Sequence, residues 1–299
     1  MENSVSEAPQ CLNCQEPLHG DYCHKCGQHH RVYVRSIFAV LGDLMGELGH
    51  WDSRFYRTLR GLFLRPGFLS AEFMQGRHAS YVPPLRLYFF ISLVAFIIFS
   101  ATIDLDLRNA TAQAAPNETA TADVAVITAE DLRMDFPFLP EAEQQRINER
   151  LRYLSQNPNV FAQRIIQLTP QMMLLMLPFW ALFLKLIYIF RRHYYLEHLT
   201  VALHTHGFIL LSLMLAVIVA EFTNGLTTLT GLSWFSELGD WVDYAIFAWM
   251  LVYLLLTQKN FYQQKWPISV IKFLVSGIAY TFLLLSAFVL TVIYSVVSA

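Results

Sequence analysis

Apolar positions in this chain gather into long charge-free runs separated by short polar stretches. The first run is residues 87–103, bounded by Arg86 and Asp104. The second, 165–184, is closed by Lys185, and the third, about 200–220, lies between Glu197 and Glu221. The fourth, 244–258, lies between Asp243 and Lys259 and is extended toward one interface by Trp241. The fifth, 273–299, follows Trp266 and Lys272. A helix needs roughly 20 residues to cross the ~30 Å hydrocarbon core, so each run predicts a membrane-spanning helix, the fourth being the shortest. Pro178 and Gly277 are tolerable inside such helices when neighbours re-satisfy the backbone. Residues 222–236 are apolar but hold Gly225 and Gly231, and they read as a re-entrant or interfacial loop.

Before the first run the pattern is amphipathic. Ile37, Phe38, Val40, Leu41, Leu44, Met45 and Leu48 recur at helical spacing. Phe55, Leu59, Leu62 and Phe63 share one helical face, with Arg54, Arg57 and Arg60 opposite. Pro66 and Gly67 end that helix, residues 68–74 form another short one, and Gly76 closes it. Arginines on such an interfacial helix reach anionic headgroups, so Arg54, Arg57, Arg60 and Arg77 are candidate lipid-headgroup contacts. Positive-inside bias alone also accounts for them.

Composition supports a membrane protein. Of 299 residues, 55% are hydrophobic and 15% charged, about ten points below an average soluble domain. This excludes a disordered polymer, a secreted disulfide miniprotein and an ordinary soluble enzyme. The net charge of -2 gives no sign of a nucleic-acid binder. Basic residues precede run 1 and occupy the connections between runs 2 and 3 and between runs 4 and 5. Residues 221–243 carry only acids. The expectation is a cytoplasmic N-terminus and an extracytoplasmic (periplasmic) C-terminus, a parity that five spans satisfy. The 104–164 loop holds ten acids and six arginines, and long loops translocate largely regardless of charge. Within it, 109–129 reads as an Ala/Thr-rich mobile linker and 141–153 as helix-compatible. Residues 1–10 are polar, so no signal peptide is expected there.

The four cysteines are Cys11, Cys14, Cys23 and Cys26, in the pattern C-x2-C, eight residues, C-x2-C. Two knuckles of this spacing aim four thiolates at one ion. Softness and geometry favour one structural zinc, with iron as competitor. Two disulfides are the alternative, disfavoured on a reducing cytosolic side. Gly20 and Gly27 suit the turns, and His24, His29 and His30 read as surface residues. The expected fold class is therefore an all-α polytopic membrane protein of about five transmembrane helices with a small N-terminal zinc-ribbon head. The expected divisions are the cytosolic head 1–30, amphipathic interfacial helices 31–84, transmembrane helix 1 at 85–103, an extracytoplasmic loop 104–164, and transmembrane helices 2–5 within 165–299.

At 100° per residue, Glu197, Thr200, Val201 and His204 form one stripe at the entry to run 3, with His206 opposite. Ionisable residues inside a span are costly and usually face a bundle interior or wet cavity. Glu197, Thr200 and His204 are thus a candidate intramembrane polar site for a proton or cation. The bland alternative is that His198, His204 and His206 bond to backbone or lipid near the interface.

Several residues also carry a resemblance: Cys11-Leu12-Asn13-Cys14, the run Gly20-Asp21-Tyr22-Cys23-His24-Lys25-Cys26-Gly27-Gln28, Arg65-Pro66-Gly67, Gly76-Arg77, Tyr81, Pro84, Leu87-Tyr88, Glu197-His198-Leu199 and Ala202-Leu203-His204. In this order they resemble a bacterial family of multi-pass membrane proteins with a double-CxxC head, catalogued as a domain of unknown function. The resemblance implies a bacterial inner-membrane location and supplies no catalytic residues.

Three functions compete. The first is a membrane-embedded accessory or regulatory protein whose zinc head docks a partner. The second is a transporter or lipid-handling protein using Glu197 and His204. The third is a metal-dependent intramembrane enzyme, which ranks last because only two ligands share a face. The expected partners are the lipid bilayer, a protein at the head and a second copy of the chain.

Overall fold

The computed structural model describes residues 9–30, 53–113, 140–156 and 158–297. The expected helix at 37–48, most of the 109–129 linker and the ends of the chain lie outside the described residues. Among the described residues, eight helices follow the head: α1 Ser53–Leu64, α2 Phe68–Met74, α3 Pro84–Gln113, α4 Glu141–Gln156, α5 Pro158–Ile187, α6 Tyr195–Thr230, α7 Trp234–Tyr262 and α8 Trp266–Val297. Among the described residues there is no β-strand, only two isolated bridges in the head. The all-α membrane class holds.

Among the described residues, four helices are long and apolar enough to cross a membrane: Pro84–Ile103 of α3, and all of α6, α7 and α8. The expected second span falls in α5, whose described apolar segment, Gln171–Ile187, is shorter. The fourth run gains most from the structure. Sequence charge confined it to 244–258, yet α7 continues to 29 residues because its charged ends remain helical. The expected loop at 222–236 is corrected. Residues to Thr230 continue α6, and α7 begins at Trp234. Gly231, at φ 70°, makes the left-handed turn between them, and its N–H closes on Thr227 O at 2.8 Å. The polar threonines there do not break the helix, because Thr223, Thr227 and Thr230 donate to carbonyls one turn back.

The chain divides into two compact units, residues 1–95 with 181–276, and residues 96–180 with 277–299. In the first, α6 is the most enclosed span, with 61% of its apolar window buried. Lipid gives helices little hydrophobic reason to associate, so close packing and hydrogen bonds decide. Accordingly α6 and α7 pair where Gly239 meets Thr223. A Cβ at Gly239 would collide with the Thr223 hydroxyl. Higher up, Phe208 stacks on Tyr253 at 3.6 Å between ring centroids.

The first unit also holds α1 and α2 against α7. Trp249 Nε1 donates to Phe63 O at 3.2 Å, and Asn260 Nδ2 donates to Pro66 O at 3.0 Å. Gly67 has φ 76°, and a Cβ there would lie 3.1 Å from Thr257 O. The Arg-Pro-Gly turn therefore requires glycine twice, for its left-handed backbone and for close approach to α7. Thr58, fully buried, donates to Arg54 O and accepts from Val82 N–H at 3.0 Å. That bond fixes α1 against the segment entering α3.

In the second unit, Pro140 precedes α4, whose first turn holds Glu141 and Glu143, favourable at the positive helix end. Pro158 begins α5, a position where its missing N–H costs nothing. Arg150 donates to Val297 O, and Trp180 meets Tyr280 edge-on at 4.9 Å.

Candidate metal centre

Each CxxC folds as the same local turn. Gln15 N–H donates to Cys11 O, and Gly27 N–H to Cys23 O, both at 2.8 Å. The residue after each knuckle is left-handed, Gln15 at φ 61° and Gly27 at φ 71°. Cys11 N–H then reaches Glu16 O and Cys23 N–H reaches Gln28 O, both at 2.9 Å. Gly27 thus has the turn role expected of it, while Gly20 keeps an ordinary φ.

The two knuckles face each other. Cys11 Sγ lies 3.6 Å from Cys26 Sγ, and Cys14 Sγ lies 3.5 Å from Cys23 Sγ. All four sulfurs lie within 4.8 Å of one another. All four cysteines are free thiols. Tetrahedral coordination at Zn–S of about 2.3 Å separates sulfurs by about 3.8 Å, so the cluster has the right size and donor chemistry for one ion. Cys11, Cys14, Cys23 and Cys26 would hold it. When bound, a dication supplies the cross-link that stabilises so small a core, in which Leu18 is the buried apolar side chain beside the sulfurs. The electrostatics agree. Backbone N–H groups of Cys26 and Lys25 hold the Cys23 thiol down to about 6. At Cys14 a backbone N–H bond at Glu16 favours the thiolate, but burial and the neighbouring sulfurs outweigh it and raise it to about 12. Packed sulfurs resist sharing several negative charges, and a cation relieves that conflict.

The histidines of the head lie outside the cluster. His24 approaches Glu16 at 4.0 Å, and His29 packs edge-on against Tyr22 at 4.6 Å. Lys25 pairs with Glu16 at 2.7 Å on the surface.

The head is seated on the turn between α2 and α3. Gln28, two residues beyond Cys26, donates through Nε2 to Gly76 O at 2.7 Å. Its Oε1 accepts from His78 N–H at 3.2 Å and Ala79 N–H at 3.1 Å. Ser80 Oγ donates to Asn13 Oδ1 at 2.9 Å. Gly76 is left-handed at φ 83°, and a Cβ there would stand 2.7 Å from Leu12 Cδ1. In the sequence Gln28 stands only as the last residue of the motif around the second knuckle, and a lone surface-type amide carries no periodicity that would reveal this role.

The other candidates separate. Arg54, Arg57 and Arg60 lie on the exposed side of α1. Arg77 is instead engaged by Glu72 at 2.8 Å and by Gln75. On α6, Glu197 bonds to His193, and Thr200 donates to Leu196 O of its own helix at 2.9 Å. His204 Nδ1 meets Ser70 Oγ at 2.9 Å, both buried. Among the described residues, no hydrogen bond joins Glu197 to His204. His206 turns back to Ala202 O at 2.8 Å, and His198 Nδ1 meets Tyr262 Oη at 2.7 Å. The partners Ser70, His193 and Tyr262 come from other turns or helices, where a single-helix pattern has no reach.

Residues 52–96 match the model of a family described as a protein of unknown function, DUF3667. That span contains Arg65-Pro66-Gly67, Gly76-Arg77, Tyr81, Pro84 and Leu87-Tyr88, the residues that here form the α1–α2 turn, the seat of the head and the start of α3. No curated protein and no solved structure matches the chain. The comparisons and the fold together identify a membrane protein that gathers four cysteines in a cluster able to hold a metal ion and whose residues 52–96 match a family of unknown function.

Proposed function

We propose that the chain is an accessory or regulatory protein of the bacterial inner membrane, whose zinc-loaded head docks a partner and is mechanically tied to the membrane helices. The head faces the cytosol in this reading, as the distribution of basic residues favours. One observation carries it: Gln28 belongs to both parts. Its carbonyl completes the second knuckle, while its side chain holds residues 76–79. A closed four-thiolate site has no open position for chemistry, so it acts through shape. Tyr22, 63% exposed, presents an aromatic surface on the head. Exposed Arg54, Arg57 and Arg60 serve as anionic-headgroup contacts that hold α1 at the interface.

The test is cross-linking in membranes, followed by purification of wild type and of a variant with Cys11, Cys14, Cys23 and Cys26 changed to Ser. A defined partner bound by the wild type and lost from the variant is the expected result. The same partners on both proteins would overturn the docking role.

A further inference from the structure

The α7–α8 turn meets the end of α5 at a pair of cations held without a counter-charge. Lys272 Nζ donates to Ile187 O at 2.9 Å and stands 4.2 Å from the centroid of the Tyr188 ring. With the Gln264 amide turned so that its oxygen faces the cations, that oxygen accepts from Lys272 Nζ at 3.2 Å and from Arg191 Nε at 3.3 Å. Arg191 Nη2 also reaches Gln263 O at 3.5 Å. Two positive groups therefore converge on one buried amide oxygen. Every acceptor they use is neutral, and among the described residues neither forms an ion pair.

Like charges do not gather in this way without compensation. The carbonyls fix both groups in place but leave the charge unbalanced and some donors of each unused. Fixed, pre-oriented cations with spare donors match the oxygens of a phosphate, which a guanidinium engages through two N–H groups at once. The surroundings favour a lipid as the source. Ile189, Phe190 and Tyr194 beside Arg191, and Trp266 at the start of α8, are exposed, Phe190 at 95%. Aromatic and apolar side chains around cations at the end of membrane helices are the pattern of the bilayer interface.

We propose that Arg191 and Lys272, braced by Gln264, form a seat for the phosphate of an anionic phospholipid. This is a site apart from the head and from the Glu197–His204 stripe, and it stands whether or not the head docks a partner.

The test uses the full chain, lipid-depleted in neutral detergent, titrated separately with phosphatidylglycerol and inorganic phosphate, with bound ligand read by native mass spectrometry. The wild type is expected to retain phosphatidylglycerol, and R191Q/K272Q to lose about tenfold in affinity. R191K/K272R should recover most of that loss. K259Q/K265Q removes the same charge near the same turn and should change affinity by less than about twofold. Arg191 is exposed, so R191Q alone leaves the fold intact and should still weaken binding several-fold. Inorganic phosphate that competes in the wild type but not in R191Q/K272Q would support the same seat with a solute as its source. Equal lipid affinity in wild type and R191Q, or an equal loss in K259Q/K265Q, would overturn the proposal.

Discussion

The head and the polar stripe of α6 both place potential ligands at regular spacing, yet only the head brings them together. In the head, each CxxC closes its own turn, and the two turns are eight residues apart. Local geometry is enough to bring four sulfurs within 4.8 Å. On α6, helical spacing puts Glu197, Thr200 and His204 on one stripe, but a helix keeps such side chains stacked along its axis. Each then takes the nearest partner. For Glu197 that is His193, for Thr200 its own backbone, and for His204 it is Ser70, 134 positions away. A shared face is a weaker statement than a shared site.

The largest effect that sharpens this contrast comes from the cysteines. Changing all four to Ser should take bound metal from about one ion per chain to about none and unfold the head. Structural zinc sites in small domains contribute about 10–16 kcal/mol of apparent binding energy. Metal analysis of purified protein reads the result directly. Changing Glu197 and His204 together to Ala should leave metal content unchanged. A loss there would return the stripe to the status of a site.

Next in size are the glycines on which the head and the collar depend. Gly76→Val forces a left-handed backbone on a β-branched residue and drives its side chain into Leu12. It should cost about 2–4 kcal/mol, seen as a lower melting temperature with faster proteolysis of the head. Gly67→Ala meets Thr257 O and the same φ penalty, and should cost about 1–3 kcal/mol, with the loss centred on α1 and α2.

Gln28→Ala should cost about 1–3 kcal/mol, since it strands backbone groups of residues 76–79. Its signature is a metal-loaded head that has left its seat. Ser70→Ala and His204→Ala should each cost about 1–2 kcal/mol by unpairing a buried partner within the membrane region. If His204 served a proton pathway instead, His204→Ala would abolish an activity that Ser70→Ala spared.

The smallest effect is a pH dependence at the seat. Burial holds His78 below its ordinary 6.5. The folded seat therefore favours neutral imidazole. Its contribution is complete above 6.5 and is lost as pH falls from there toward the depressed value. His78→Phe keeps the backbone N–H that Gln28 uses and should flatten that slope in thermal melts between pH 7 and 5. Acid release of metal, common to both proteins, cancels in the comparison.

The same contrast explains what could be read from the chain alone. Four of the five expected spans are legible because lipid demands continuous apolar helix, and the knuckles because CxxC closes locally. The end of α6 reads as a loop because of its glycines and threonines, whereas threonine hydroxyls satisfied one turn back leave the helix intact. Arg77 reads like Arg54, Arg57 and Arg60 because sequence shows its charge but not Glu72 beside it. The roles of Gln28, Ser70, Thr58 and Gln264 are hidden in the sequence for one reason. Each is a single polar side chain whose meaning depends on a distant backbone or side-chain partner.

The most direct test of the central claim, that the metal centre holds the head on the membrane domain, is hydrogen exchange at the backbone N–H groups of His78 and Ala79. These are compared in metal-loaded and chelator-stripped full-length protein. Both N–H groups bond to Gln28 Oε1, so the account predicts slow exchange with metal and fast exchange without it, while α6 is unaffected. Exchange at 78 and 79 that does not change when the metal is removed would contradict it.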